Sequence, residues 1–425
     1  MPKKTDRTTD KLNKLETFLG ELSLDEEEAL KPSKKEASFF KTSEVVILLI
    51  ITLFVSLITG AFITYKFAPI NGEAVDEELS EFINNYEYIT KNYNGKIDKK
   101  ELMDTALDAM LQKLDQNSVY MDQDSSKNLN ILLEGKYSGL GIQVYGKDDK
   151  LIIAGIFKNS PASKADLRAG DIITKLNDKS VKGLPGDAVS KLIKDNKKDV
   201  VTITYIRDKK EKTAKAKLGT VNIESVISKT YEKSGKKIGY IAVGIFASNS
   251  YKQFKSNLDK LEKAQIDSLV IDLRSNHGGY LYVAENIISL FLDSNHVIYQ
   301  IQKNGEVARH YSKGSRDKGY KIIVLVDGNS ASASEVVASA LKEQLNAKVV
   351  GKKTYGKGTV QEMQNLSSGD KYKITTKNWL TSKGVWVEGK GIEPDIKIDL
   401  DDKYFDDPKE ANDNQLQKAL DEACK

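Results

Sequence analysis

Apolar positions change their spacing several times along the chain, and each change marks a new element. Val45 to Tyr65 is an uncharged apolar run, about the 20 residues that cross a bilayer. Leu79, Phe82, Ile83, Tyr86 and Ile89 then fall on one helical face. Met103, Ala106, Leu107, Met110, Leu111 and Leu114 fall on another, and Asp98 with Glu101 predicts where that second helix starts. From residue 136 short strands with glycine turns take over, at 137–144, 151–157 and 200–207, with a helix from Asp187 to Lys194. From residue 236 strands and helices alternate. Strands are predicted at Ile238 to Val243, Ser268 to Leu273, Ile322 to Val326 and around Val349. Helices are marked by Tyr251, Phe254, Leu258 and Leu261, by Ala284, Ile287, Ile288 and Phe291, and by Val336 to Leu345. Alternation of this kind predicts an α/β layer whose site lies in loops at strand ends. Two such loops carry polar residues, 274–279 and 329–334.

The pattern divides the chain into a polar tail (1–43), an apolar segment (44–66), a short linker, a helical region (76–135), a mainly-β domain (136–217) and the α/β layer (218–425). Charge adds an orientation. Lys31, Lys34, Lys35 and Lys41 precede the apolar run, whereas Lys66 alone follows it closely before Glu73, Asp76, Glu77 and Glu78. The positive-inside rule then puts the tail in the cytoplasm and everything after residue 66 outside. The run is too long for a cleaved signal peptide, so a single-pass signal anchor in the cell membrane is expected. The tail itself, with runs such as Asp25-Glu26-Glu27-Glu28, predicts disorder. The helical region predicts packing on the α/β layer or on a second copy, a homodimer.

Composition narrows the chemistry. With 425 residues, 40% hydrophobic and 30% charged, the chain has room for two or three ordinary domains. A net charge of +4 without an arginine stripe gives no argument for a nucleic-acid partner. Cys424 is the single cysteine, which excludes an intrachain disulfide and a cysteine zinc site.

Strand, turn and helix around Ser330-Ala331-Ser332-Ala333-Ser334-Glu335 suit a nucleophile at a helix N-terminus, where free N–H groups can hold an oxyanion. Ser332-x-x-Glu335 also fits a capping box, and taken by itself the motif favours that reading. A serine needs a base to take its proton. Three histidines are present, and His277, in the glycine loop 274–279, leaves a Ser–His pairing open beside the exposed settings of His296 and His310. The other base is a lysine made neutral by burial. Lys357 lies between Gly356 and Gly358, with no acid between Lys353 and Glu362. A strand beginning at Lys357 would put Thr359 and Gln361 on its face, and a neutral amide there could orient the amine. Gly139-Leu140-Gly141-Ile142 leads into a strand and admits two readings. It can take a peptide's terminal carboxylate while the strand adds the tail, or it is a glycine turn without a ligand.

These residues together resemble the carboxyl-terminal processing, or tail-specific, serine proteases, over most of 76–425. Tyr137-Ser138-Gly139-Leu140-Gly141, Ser160-Pro161-Ala162 and Ala169-Gly170-Asp171-Ile172-Ile173 look like that family's PDZ domain. Asp272-Leu273-Arg274, Gly278-Gly279 and Gly389-Lys390-Gly391-Ile392-Glu393-Pro394-Asp395 fit its protease core. Most specific are Ser330 to Glu335 with Tyr355 to Gln361. The resemblance implies a crotonase/ClpP-like layered protease core with an inserted PDZ domain. It implies Ser332 as nucleophile, Lys357 as base, Gln361 as the residue orienting the lysine, and an oxyanion hole from Ala333 with Gly278 or Gly279. No metal or cofactor is implied. The chain departs from the family in having His277 where Pro is common, and Lys191 to Asn196 where an Arg-Gly pair is common. The expected function is a membrane-anchored endopeptidase that takes extracytoplasmic proteins by their C-termini. A non-catalytic PDZ adaptor is the alternative.

Overall fold

The computed structural model describes residues 42–67, 76–194, 196, 198–314 and 318–425. Most of the tail (1–41) and the linker residues 68–75 lie outside the described residues. The chain forms two units, Met1–Ile97 and Asp98–Lys425.

In the first unit Thr42–Phe67 is a 26-residue helix. Val46, Leu49, Phe54 and Leu57 on it are exposed. Among the described residues no helix is long and apolar enough to cross a membrane; the side chains of 42–45, 48 and 60–67 lie outside that description. Glu77–Asn92 follows, with Asp76 as its N-cap accepting the Leu79 N–H at 2.7 Å. None of its residues is buried, and Leu79, Phe82, Ile83 and Ile89 form an exposed apolar face.

The second unit is built on a six-stranded sheet in the order Val226–Lys233, Lys236–Val243, Ser268–Asp272, Lys321–Val326, Lys348–Gly351, Ile396–Lys397. The first pair is antiparallel and the rest parallel. The central strands Ser268–Asp272 and Lys321–Val326 are covered on both faces, which is why they read as unbroken apolar runs. Alternate residues explain the two faces. Ile241, Leu269, Ile271 and Val324 pack under helices Ser250–Lys263, Leu281–Ile288 and Ala333–Leu345. Ile238, Val270, Ile323 and Leu325 pack under the C-terminal helix Asn414–Cys424 through Leu416, Ala419 and Leu420.

A second sheet runs Val119–Met121, Lys371–Thr381, Val297–Lys303, Glu306–Tyr311, with Thr359–Asn365 also paired to Lys371–Thr381. Its first strand lies inside the region 76–135, where the sequence marks only two helices. Val119, Tyr120 and Met121 pair with Lys373, Tyr372 and Lys371, and three residues are too few to show a period in sequence.

A separate six-stranded sheet, with strands from Ile142–Lys147 to Lys210–Lys217, forms a β domain closed around Leu140, Leu151, Ile153, Ile173 and Ile203. The buried Asp171 takes the Arg207 guanidinium through two bonds of 2.7 Å. Lys136–Gly139 and Gly219–Asn222 form a two-stranded neck. At the start of helix Ser250–Lys263, Asn249 donates to the Gly135 carbonyl at 2.5 Å and Gln253 donates to the Ile223 carbonyl at 2.9 Å. Both chain crossings are thus fixed to one helix end.

Candidate active site

Strand Lys321–Val326 ends in Asp327, whose carboxylate accepts the N–H groups of Ser275, Asn329 and Ser330. The turn that follows separates three serines. Ser330 is buried and donates to the Leu273 carbonyl at 2.8 Å. Ser334 is buried and donates to the Asn276 carbonyl at 2.8 Å. Ser332 is half-buried, at φ 55°, a strained region for a residue with a side chain. It is the N-cap of Ala333–Leu345: Glu335 accepts its N–H, while its hydroxyl makes no cap hydrogen bond.

Glu335 does more than cap. Its carboxylate is fully buried and accepts four donors. Oε1 takes the Thr354 hydroxyl at 2.6 Å and the Gly356 N–H at 2.7 Å. Oε2 takes the N–H of Ser332 at 2.8 Å and that of Lys357 at 2.9 Å. One oxygen therefore ties the backbones of the two residues together.

Lys357 is half-buried, and its amine has no ion pair or hydrogen bond among the described residues. Burial, followed by the like charge of Lys373, lowers its pKa below the ordinary lysine value, against the opposing charges of Glu388, Asp115 and Glu335. The loop is fixed elsewhere: Trp379 donates to the Lys357 carbonyl at 2.7 Å, and Glu388 accepts the Gly358 N–H at 2.7 Å. The strand starts at Thr359, two residues after Lys357. Gln361 donates its amide to the hydroxyls of Thr359 and Thr375, at 2.9 and 3.1 Å, and no hydrogen bond joins it to Lys357.

The glycine pair divides its work. Gly278 is buried against the serine turn, and a Cβ there would lie 2.9 Å from the Ala331 carbonyl and 3.0 Å from Ser332 Cβ. Its N–H is already given to the buried Asn276 side chain at 2.8 Å. Gly279 is exposed. Its N–H and that of Ala333, the residue after Ser332, have no partner among the described residues. His277 is exposed and bonds to no serine; His310 stacks on Tyr299, and His296 meets Gln344.

In the β domain Gly139 ends the neck, paired with Gly219. Leu140 is buried in the core, and its carbonyl accepts the Ala162 N–H. Gly141 has φ +76°, and a Cβ there would fall 2.3 Å from Ser160 Cβ, so the turn requires glycine. Ile142 opens strand Ile142–Lys147, which is the end strand of its sheet, with helix Gly186–Lys194 beside it.

Comparison with known proteins agrees with this layout. Residues 237–398 match Peptidase family S41, 138–218 match the PDZ domain, and 64–125 match the Activating protease CtpB N-terminal domain. The chain is 36% identical over 334 residues to the carboxy-terminal processing protease CtpB of Bacillus subtilis (strain 168), covering 78% of this chain and 69% of that one. The chain belongs to peptidase family S41. It is 33% identical over 355 residues to a probable CtpA-like serine protease of Staphylococcus aureus (strain COL), covering 83% of this chain and 71% of the relative. The solved photosystem II D1 C-terminal processing protease aligns at 23% identity and a TM-score of 0.44, over 76% of this chain and 94% of its own.

This S41 peptidase is thus a carboxyl-terminal processing serine protease with a PDZ domain. Three of its site residues are not evident from sequence. Glu335 reads there as a cap alone, because its other partners arrive 19 to 22 positions later. Lys373 reads as one more surface lysine, and Asp115 as a helix end. Lys371–Thr381 pairs with Val119–Met121 on one side and with Thr359–Asn365 on the other, and these long-range pairings bring the last two near Lys357.

Proposed function

We propose that this S41 peptidase cuts peptide bonds with Ser332 as nucleophile and neutral Lys357 as its base. The reading rests on one observation above others: Glu335 Oε2 accepts the N–H of both residues, beside a lysine amine that has no partner among the described residues. Lys357 removes the Ser332 hydroxyl proton as the oxygen attacks the peptide carbonyl. The N–H groups of Ala333 and Gly279 hold the oxyanion. The lysine then gives its proton to the leaving amine, and water releases the acyl-enzyme. Gln361 keeps Thr359 and Thr375 in place on the strand that follows Lys357. Ser332→Ala and Lys357→Ala should each abolish peptide cleavage and leave the thermal transition near that of the wild type. Activity near wild type in either variant removes that residue from the mechanism.

Substrate tails are captured by the PDZ domain. The terminal carboxylate meets the loop Gly139-Leu140-Gly141-Ile142, and the tail adds to the open edge of strand Ile142–Lys147. Tail binding raises the local substrate concentration at Ser332. Amidating a substrate's C-terminus should slow cleavage, and an unchanged rate would count against capture. The segment 44–66 anchors the chain as a single pass with the catalytic part outside, a reading supported by its uncharged apolar run and by Lys31, Lys34, Lys35 and Lys41 before it. The apolar face of Glu77–Asn92 is the surface for a second copy. No cofactor takes part.

A further inference from the structure

The residue after the free glycine amide opens an unusual surface. Tyr280 and Tyr282 place their rings 5.2 Å apart at 33°, with Tyr282 49% exposed. Glu134, the last residue of helix Gln123–Glu134, is half-buried beside them. Burial first, then the Glu134 charge, raises the pKa of both phenols. The carboxylate accepts from the Ser248 hydroxyl, at 3.3 Å, and from the Tyr280 phenol. No cation pairs with it among the described residues, although the chain is rich in lysine. Two ring faces and an uncompensated carboxylate together attract a positive group: the rings through their quadrupoles, the carboxylate through its charge.

Position gives the patch its meaning. Tyr280 is bonded directly to Gly279, and its N–H is fixed on the Phe246 carbonyl at 2.8 Å. Glu134 immediately precedes Gly135, where the chain enters the PDZ neck and where Asn249 holds it. A substrate held by its tail and reaching Ser332 has this patch between the neck and the oxyanion amides.

We propose that Tyr280, Tyr282 and Glu134 form a subsite for a positively charged side chain of the substrate, arginine or lysine, one or two residues from the bond that is cut. The proposal rests on the reading that Ser332 cleaves there. Arginine is the better fit, because its guanidinium can stack on the tyrosines while meeting the carboxylate through a fork. The subsite is partly open to water, so its effect is a preference rather than an absolute requirement.

The test uses the full chain and a series of peptides with free C-termini, identical except for arginine, leucine or glutamate at each position near the cut. At one position arginine should exceed leucine in kcat/KM by about three- to tenfold, and glutamate should be poorest. The readout is the arginine-to-leucine ratio, in which a general loss of turnover cancels. Glu134→Gln and Tyr282→Leu should each bring that ratio towards one, and Glu134→Lys should invert the order in favour of glutamate. A wild type without any such preference, or a ratio unmoved by Glu134→Gln and Tyr282→Leu, overturns the subsite while leaving the protease site standing. Failure of every peptide, together with a Ser332 that no fluorophosphonate labels, overturns the cleavage reading and the subsite with it.

Discussion

Two buried polar centres flank the serine turn, and they are built in opposite ways. Glu335 is met by three backbone N–H groups and a hydroxyl, none of them charged. Arg274, at the end of strand Ser268–Asp272, is met by charge: Asp272 at 2.7 Å and Asp413 at 2.8 Å, with Gln415 completing its guanidinium. The first centre ties Ser332 to the Lys357 loop. The second ties the glycine loop to the residue that caps the C-terminal helix. The difference follows from what each neighbourhood must allow. A carboxylate paired directly with Lys357 would keep that amine protonated and useless as a base. Spending Glu335 on neutral donors fixes the geometry while limiting that effect. Arg274 stands behind the site, so strong ion pairing costs the chemistry nothing there.

The comparison breaks most readily at Glu335. Glu335→Gln puts an amide where two donors expect an oxygen, leaving buried N–H groups unsatisfied at about 1–3 kcal/mol each. Cleavage should fall on the order of 100-fold or more, measured as single-turnover kcat, and Ser332 labelling should slow with it. Retained turnover would mean that the two loops hold their geometry without the shared carboxylate. Asp413→Ala tests the other centre. It strips one partner from a half-buried arginine and should lower stability by about 3 kcal/mol, seen in denaturant unfolding. Its effect on kcat should be much smaller than that of Glu335→Gln. The reverse order would mean that the ion-paired centre, not the neutral one, sets the catalytic geometry.

Lys373→Gln is the mildest probe. The Lys373 charge lowers the Lys357 pKa, so removing it lets that pKa rise. A base must be neutral to act, so less of it is competent at neutral pH. The rising limb of the pH–rate profile should move to higher pH, with cleavage reduced near neutrality and recovered in alkaline buffer. A profile that stays in place would mean that burial alone sets the lysine.

How much of this was legible in the sequence varies with the range of the interactions. Strands Ser268–Asp272 and Lys321–Val326 announce themselves because both sheet faces are covered and their residues are continuously apolar. Ser332 and Lys357 do not stand out by themselves, since a capping box and a lysine between glycines have ordinary structural roles; it is the resemblance of Ser330 to Glu335 with Tyr355 to Gln361 that singles them out. The hairpin of Thr359–Asn365 with Lys371–Thr381 does not, since its lysines and threonines are half-buried and imitate a surface. Which glycine amide is free could not be read at all. Asn276, two residues before Gly278, takes the first N–H and leaves the second, and only its side-chain direction decides that. Orientation by Gln361 was expected from period two; the strand does place Gln361 with Thr359, yet the amide is held by threonines instead of the amine.

The most direct test of the Ser332–Lys357 pairing is the pH dependence of Ser332 labelling by a fluorophosphonate, in wild type and in Lys357→Ala. The pairing predicts labelling at Ser332 alone, rising with pH to a midpoint below the ordinary lysine value and lost in Lys357→Ala. Wild-type labelling rates in Lys357→Ala, or label on a residue other than Ser332, would contradict it.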